Sequence, residues 1–196
     1  MPFAEPVVLT GRLVQLRPLQ SADAEGLAEA AADGALWTLA YTAVPRPEAM
    51  AAAVRDRLAA QAGGTLAPFT TRRLDTGAVI GATNYLNIDP VNRRLEIGGT
   101  WNARSAQRSG TNTESKLLLL GHAFDTLGCI AVEFRTHFLN RQSRAAIERL
   151  GARLDGILRH HQVMPDGTLR DTVVYSITAP DWPAIRNELR RRLDQA

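Results

Sequence analysis

The sequence has little lysine, little cysteine and no long apolar run, and each of these features argues against a class of partner or site. Only one of its 23 basic residues, Lys116, is a lysine, and the formal net charge is +3. No run of five or six like charges occurs, and the densest basic cluster, residues 190–192, falls on a predicted terminal helix. Such a cluster is typical of a solvated helix face. We therefore expect no nucleic-acid partner.

The single cysteine, Cys129, excludes an internal disulfide and a thiolate metal cluster. His160 and His161 are adjacent, so on a strand they point to opposite faces and cannot easily share a metal. No window reaches the roughly 18 apolar residues that a membrane span needs, and no basic leader precedes an apolar core at the N-terminus. We expect a soluble, cytoplasmic protein that binds neither a metal nor a membrane.

The length and composition predict a single domain over residues 1–196. At 196 residues and 45% hydrophobic, the chain can build one well-buried core and is short for two. Strand and helix patterns follow each other without a linker, which predicts an α+β fold with helices on the faces of a sheet. The predicted strands are 12–19, 68–74, 79–88, 93–101, 130–136, 153–162 and 169–176, and the predicted helices are 21–32, 47–61, 114–127, 140–150 and one from 181 onward.

The stretch 107–124 places a cluster of small polar residues directly before a strong helical pattern. Gly110 lets the backbone approach a ligand closely, and a helix N-terminus offers unpaired N–H groups that suit a phosphate. Thr111, Asn112 and Thr113 can equally cap the helix, so spacing alone leaves both interpretations open. Neither GxxxxGK[ST] nor GxGxxG occurs, which argues against an ATP or dinucleotide site.

An ordered set of motifs begins with EIG at 96–98, which leads to Trp101, and continues with QRSGTN at 107–112. The later motifs are Asn140-xx-Ser143 before Leu150-Gly151-Ala152, and MPDGT at 164–168 before Arg170-Asp171 and a Tyr-Ser strand. QRSGTN resembles the acyl-CoA pyrophosphate loop, [QR]xxGx[GA], of the GCN5-related N-acetyltransferase (GNAT) superfamily. The loop motif is weak by itself, but the whole set, over residues 9–193, resembles the RimJ/RimL-type branch, the ribosomal-protein-alanine N-acetyltransferases.

The resemblance implies the GNAT fold, a central, mostly antiparallel, splayed sheet of about seven strands with helices on both faces. It implies acetyl-CoA as cosubstrate in the gap between the strands at 93–101 and 130–136. The pantetheine would lie along the first strand, and the pyrophosphate would meet the backbone amides of residues 108–113. The implied binding residues are Gly98, Gly99, Trp101, Gln107, Arg108, Ser109, Gly110, Thr111, Asn112, Thr113, Asn140 and Ser143.

Two positions depart from the family pattern. Asn112 stands where the loop motif has Gly or Ala, so its side chain must point away from the pyrophosphate or bond to it. Ile147 aligns with the tyrosine that many members use as general acid toward the leaving thiolate, so we expect no tyrosine acid. The alternative to an enzyme is therefore a catalytically silent acyl-CoA-binding protein on the same fold.

Acetyl transfer to an amine needs a base for the amine, stabilisation of an oxyanion and a proton for the thiolate. Glu96, which lies mid-strand beside the implied cofactor gap, is the candidate base; alternatively it faces solvent and pairs with an arginine of a neighbouring strand. Ser143 is the candidate proton donor; alternatively it serves in capping a helix. A backbone N–H near Gly98 or Gly99 would meet the oxyanion.

The sequence does not identify the amine acceptor, which is either a protein N-terminus or a small molecule. Trp37, Tyr41 and Tyr85 are candidates to line its pocket, because the first helices cover that side of the sheet in the family; alternatively these aromatic residues belong to the core. The last helix has an apolar face between Trp182 and Leu189 that could pack within the subunit or between two, so a homodimer is left open.

Overall fold

A computed structural model describes residues 5–38, 41–42, 44–64, 66–164 and 166–195. Within these ranges the chain forms eight strands and five α-helices, joined in part by short 3-10 turns. The strands are β1 (Leu9–Thr10), β2 (Val14–Pro18), β3 (Ala67–Arg73), β4 (Val79–Asp89), β5 (Arg94–Asn102), β6 (Ala131–His137), β7 (Arg153–Val163) and β8 (Leu169–Thr178). The helices are α1 (Ala24–Ala32), α2 (Met50–Gln61), α3 (Thr111–Gly121), α4 (Arg141–Arg149) and α5 (Trp182–Asp194).

The strands form one sheet in the order β1-β2-β3-β4-β5-β6-β8-β7. Neighbouring strands are antiparallel except β5 and β6, which run parallel. The predicted mostly antiparallel sheet is therefore confirmed, with one strand more than the seven expected. The additional strand, β1, has only two residues, which is too short for an alternating pattern to reveal it.

Helices cover both faces of the sheet. On one face, Leu119 and Leu120 of α3 join the largest buried cluster together with Tyr85 of β4. On the other face, α1 and α2 pack over Ala82 of β4. Residues 82 and 85 face opposite sides because side chains alternate along a strand. No helix in the described ranges is both long enough and apolar enough to cross a membrane.

The apolar face of α5 packs inside the subunit. Trp182 and Leu189 are 3% and 1% exposed within the main core, and Ile185 is partly buried against the same cluster. Of the two arrangements that the sequence left open for this face, the structure shows the one within the chain.

The third helix begins three residues earlier than predicted, at Thr111 in place of Glu114. It ends at Gly121, and a π-helical turn, His122–Thr126, follows. The Glu114 carboxylate accepts hydrogen bonds from the backbone N–H groups of residues 12–14, at 2.7 to 2.8 Å. These bonds attach the first turn of α3 to the turn between β1 and β2, and thus fix the helix N-terminus against the sheet.

The parallel strands β5 and β6 separate along their length. Their pairing runs from Arg94↔Ala131 to Glu96↔Glu133. Beyond that point β5 continues to Asn102 beside β4, whereas β6 continues beside β8. The gap predicted between these two strands is therefore present, and it opens at Glu96.

Candidate active site

The loop before α3 leaves a row of backbone N–H groups without protein acceptors. Gly110 is the N-cap of α3, with a left-handed φ of 80° and no side-chain cap, and Arg108 also has a positive φ of 61°. The first amide of this region to be bonded is that of Glu114, which donates to the Gly110 carbonyl. Among the described residues, no protein oxygen accepts from the N–H groups of residues 108–113. Such a row at a helix N-terminus suits a phosphate group.

The polar side chains of this loop bond to the loop itself and not to the free amides. Ser109 Oγ and Thr111 Oγ1 both donate to the Ala106 carbonyl, at 2.6 and 2.9 Å. Asn112 Oδ1 accepts from Asn102 Nδ2 at 3.4 Å, so its side chain lies toward the end of β5. Hydrogen bonds within the loop thus fix its conformation, and its hydroxyl groups do not cap the helix.

The other predicted residues of the loop region lie around it. Gln107 is exposed and donates to the Asn102 carbonyl at 3.1 Å. Thr113 is half-buried in the first turn of α3, and Trp101 is half-buried at the far end of β5. All three border the open end of the gap or the loop that follows it.

A bulge in β5 places two glycines beside the gap. The register between β4 and β5 passes from Asn84↔Gly98 to Ala82↔Trp101, so β5 carries one extra residue there. Gly99 has a φ of 58°, and a Cβ at that position would lie 2.6 Å from Asn84 Nδ2. Asn84 Nδ2 also donates to the Gly98 carbonyl at 2.9 Å. Asn84 therefore holds the bulge in a conformation that requires glycine.

Glu96 lies at the point where the strands separate and is 6% exposed. Its Oε2 accepts from Asn87 Nδ2 at 2.8 Å and lies 3.6 Å from Arg135 Nε. Burial raises the pKa of Glu96 above its ordinary value, against the opposing effects of the Arg135 charge and the Asn87 hydrogen bond. The expected pairing with an arginine of a neighbouring strand is present, whereas exposure to solvent is not. A buried carboxylate with a raised pKa is suited to act as a base.

Asn140 and Ser143 meet at the start of α4. Asn140 Oδ1 accepts from the Ser143 backbone N–H at 3.0 Å, so Asn140 is the cap of this helix. Within the described structure, the Ser143 hydroxyl has no protein partner and remains free to donate. Ile147, one turn further on, is 8% exposed in the core, so position 147 supplies no proton donor.

An apolar pocket lies between α1, α2 and the strands β3 to β5, and we call it the α2 pocket. Its lining residues are Leu19, Leu27, Pro45, Met50, Ala53, Val54, Arg57, Pro68, Phe69, Ala82, Asn84 and Trp101. Leu86 of β4 pairs with Glu96 and Asn84 pairs with Gly98. Because residues 82, 84 and 86 share one side of β4, the pocket and Glu96 lie on the same face of the sheet.

The aromatic residues predicted for the acceptor side are only partly placed there. Tyr85 is 1% exposed on the opposite face, where its hydroxyl donates to the Leu119 carbonyl at 2.6 Å. Of the two interpretations that the sequence left open for Tyr85, the structure therefore shows the core residue. The sequence could not decide between them, because the face of a strand residue depends on the register of the sheet. Trp37 and Tyr41 are half-buried and stand outside the lining of the α2 pocket.

Sequence reasoning missed Arg57, the charged residue of the α2 pocket. Arg57 Nη1 donates to Asn84 Oδ1 at 2.7 Å. In the described part of the chain, no carboxylate lies within ion-pair distance of this guanidinium, and burial lowers the pKa of Arg57. The sequence gave no signal for it, because an arginine on a helix with two other charged neighbours, Arg55 and Asp56, is typical of a solvated face.

Lys116 was also missed, and it is 5% exposed beneath the β5 bulge. Its Nζ donates to Thr100 Oγ1 at 2.6 Å and to Thr83 Oγ1 at 3.2 Å. Burial lowers the pKa of Lys116 to about 7. This side chain joins α3, which directly follows the loop, to β4 and β5.

The thiol of Cys129 stands apart from this site. Cys129 is 2% exposed, and burial raises the pKa of its thiol to about 11, which keeps it in the unreactive protonated form. The His, Cys, Asp and Glu side chains of the described ranges form no group of three or more that could hold a metal ion.

Comparisons with known proteins agree with this geometry. The family model described as acetyltransferase (GNAT) domain matches residues 13–153. YdaF of Bacillus subtilis (strain 168), a proposed ribosomal N-acetyltransferase, is 32% identical over 106 residues, and the match covers 54% of this chain and 57% of YdaF. The chain thus matches little more than half the length of that curated relative.

Solved structures are similar over nearly the whole chain. The crystal structure of a GCN5-related N-acetyltransferase from Brucella melitensis is 29% identical with a TM-score of 0.85, over 98% of this chain and 87% of that one. RimJ of Mycobacterium smegmatis, solved in complex with CoA-disulfide, is 22% identical with a TM-score of 0.79, over 96% of this chain and 95% of that one. At this lower identity the second likeness concerns the fold alone.

Proposed function

The chain belongs to the GNAT acetyltransferase family, and we propose that it is an acetyl-CoA-dependent N-acetyltransferase acting on a primary amine. The acceptor amine would belong to a protein N-terminus or to a small molecule. The observation that carries the proposal is the row of free amides at residues 108–113, directly beside a strand gap that holds a buried carboxylate.

The residues present fit the cosubstrate. Six consecutive amides and the N-terminus of α3 would hold the pyrophosphate without a side-chain cation. The free edge of β5 beyond Glu96 would pair with the pantetheine amides, as a neighbouring strand would. Asn140 and Ser143 at the start of α4 would flank the thiol end. When bound, acetyl-CoA supplies the thioester whose acetyl group is transferred.

Glu96 would accept a proton from the acceptor ammonium, directly or through a water, because a primary amine is mostly protonated near neutral pH. The freed amine nitrogen then attacks the thioester carbon and forms the C–N bond. A backbone N–H near Gly98 or Gly99 would stabilise the oxyanion. The C–S bond would break, the Ser143 hydroxyl would pass a proton to the leaving thiolate while it takes one from water, and the nitrogen and Glu96 would each release a proton to solvent.

One sequence relative supports the acceptor half of the proposal, and two proteins that share the fold were solved with a form of coenzyme A. RimJ of Mycobacterium smegmatis was solved with CoA-disulfide, and the RimL ribosomal L7/L12 alpha-N-protein acetyltransferase was solved with coenzyme A. YdaF is named for ribosomal N-acetylation. These names favour a protein N-terminus as one class of acceptor and a cytoplasmic place of action for this chain.

The direct test is thiol release from acetyl-CoA in the presence of amines, with mass spectrometry of the acetylated product. The panel contains N-terminal peptides of ribosomal proteins and small amines with and without carboxylates. Amine-dependent thiol release would support the enzyme. Tight binding of acetyl-CoA without release for any amine would instead support the silent acyl-CoA-binding protein, which Ile147 and Asn112 make the second candidate.

A further inference from the structure

The α2 pocket combines an apolar lining with one cationic side chain. Leu19, Leu27, Met50 and Val54 make its wall apolar, and Arg57 is its charged member. A guanidinium has five N–H donors, and in the described structure only Nη1 of Arg57 has a protein acceptor, the Asn84 side-chain oxygen. The remaining donors are thus available to a ligand bound on this face of the sheet.

The Arg57 guanidinium is half-buried and no neighbouring carboxylate compensates its charge. Its free N–H groups still reach solvent, because the buried unpaired side-chain atoms of the described residues belong to Arg17 and Arg186. Two buried carboxylates of this protein are compensated: Asp23 is paired with Arg17, and the Glu114 carboxylate accepts three backbone hydrogen bonds. Arg57 differs in having only a neutral amide oxygen beside it. An anionic group that reaches the free N–H groups of Arg57 would complete its pairing and could bind bidentately.

The guanidinium also lies next to the proposed transfer point. Arg57 Nη1 is 3.8 Å from the position that a Cβ on Gly99 would take, and Asn84 connects Arg57 to the Gly98 carbonyl. Glu96 Oε1 is 2.5 Å from the position of a Cβ on Gly98. Glu96, the β5 bulge at Gly98 and Gly99, and Arg57 therefore lie next to one another on the same face of the sheet.

We propose that the acceptor is an amine that also carries a carboxylate, an amino acid being the simplest member of this class. The carboxylate binds Arg57 and the amine faces Glu96. The α2 pocket, with a free volume of only about 10 Å³, has room for about one water and takes no side chain of the acceptor. This assignment rests on the proposed function, and it makes Arg57 the residue that selects the acceptor. A peptide N-terminus has a neutral carbonyl at the corresponding place and would pair with Arg57 less strongly.

The test compares acceptors that differ only in the carboxylate: leucine, methionine and phenylalanine against their amides and against a short peptide beginning with the same residue. We expect kcat/KM to be at least about tenfold higher for the acids, mainly through KM, because one charge-assisted pair distinguishes them. In Arg57→Gln this preference is lost, and in Arg57→Lys it is partly retained. Arg55→Gln, an exposed arginine on the same helix, leaves the preference unchanged.

A second measurement does not depend on turnover. N-acetyl-leucine and N-acetyl-leucinamide are titrated into the protein saturated with CoA, and into the Arg57→Gln variant after its melting temperature shows that it is folded. Tighter binding of the acid, lost in the variant, supports the assignment. Equal binding of acid and amide, binding of neither, or equal kcat/KM for acids, amides and peptides overturns it.

The two proposals fail in different ways. If acetyl-CoA binds but no amine causes thiol release, with or without a carboxylate, the proposed acetyltransferase activity is wrong. This holds whatever the binding of N-acetyl-leucine and N-acetyl-leucinamide shows. If amines are acetylated without regard to the carboxylate, the enzyme stands and the role of Arg57 is wrong.

Discussion

At the scale of single residues, Glu96 has the central chemical role in the proposed mechanism. We predict that Glu96→Gln lowers kcat by about 100-fold, the lower end of what a positioned general base contributes. Acetyl-CoA affinity should stay the same, because the Glu96 side chain lies on the acceptor face and contacts Asn87 and Arg135. Single-turnover thiol release and titration calorimetry measure the two quantities.

The control for this variant is Glu25→Gln, which removes an exposed carboxylate on α1 far from the gap. It should leave both kcat and affinity as they are. An unchanged kcat in Glu96→Gln would remove Glu96 from the mechanism.

The environment of Glu96 also sets the pH dependence of the reaction. Burial raises the pKa of Glu96 above 4.5, and a base works only when ionised, so kcat/KM should fall as the pH decreases through that raised value. The neighbouring Glu133 charge contributes to raising this pKa. In Glu133→Gln the acidic limb of the pH profile should therefore move to lower pH. A limb that stays in place or moves to higher pH contradicts this account.

At the scale of elements, the loop and α3 form one binding unit. We predict that Gly110→Ala weakens acetyl-CoA binding by about tenfold, because a side chain at a φ of 80° costs about 1–2 kcal/mol and a Cβ would lie 3.1 Å from Leu13 Cδ1. The loop can relieve this strain by changing the direction of its amides. Titration calorimetry with acetyl-CoA measures the loss.

Gly128→Ala is the matched control, because Gly128 also has a left-handed backbone, with a φ of 66°, but no atom lies within 4 Å of its added Cβ. It lies beyond the other end of α3. Gly128→Ala should bind acetyl-CoA as the wild type does. Equal affinity in both variants would show that the loop is not the pyrophosphate site.

The attachment of α3 to the sheet depends on Glu114. We predict that Glu114→Ala lowers the free energy of unfolding by about 3 kcal/mol, because three backbone N–H groups lose a charged acceptor. Urea unfolding followed by circular dichroism measures this change. Glu25→Ala, an exposed substitution in the first turn of α1, should change it by less than about 0.5 kcal/mol. A similarly small effect for Glu114→Ala would mean that these bonds do not fix the helix.

The elements themselves could be predicted from the sequence, whereas several contacts between them could not. Periodicity and turn residues predicted β2 to β8 and the five helices to within a few residues, because those signals are local; the exception is the end of α3, where a π-helical turn follows Gly121. Glu96 was found through a resemblance, but its burial depends on Asn87 and Arg135, which lie 9 and 39 residues away. The pairing of Arg57 with Asn84 likewise requires the position of α2 on the sheet. Such contacts follow from register and packing, which no single-sequence pattern specifies.

At the scale of the whole molecule, the buried Lys116 should affect stability as a function of pH. Its pKa is lowered from 10.5 to about 7, so between these values the unfolded chain binds a proton that the folded chain does not. The free energy of unfolding should therefore rise with pH across this range. Lys116→Met keeps a similar length without the charge and should lose this contribution.

Urea unfolding of both proteins at about pH 6 and about pH 9 tests this prediction. Relative to the wild type, the Met variant should be more stable at the lower pH than at the higher pH. A stability difference that does not change with pH would mean that Lys116 keeps its proton in the folded state.

The measurement that tests the central claim most directly is titration calorimetry of the wild-type protein with acetyl-CoA, with free CoA, ATP and NAD in parallel. The account predicts micromolar binding of acetyl-CoA at one site per chain, comparable binding of CoA, and little or none of ATP or NAD, since neither carries a pantetheine to pair with β5. No binding of acetyl-CoA, or equal binding of ATP, would contradict the assignment of the loop and the gap to an acyl-CoA cosubstrate.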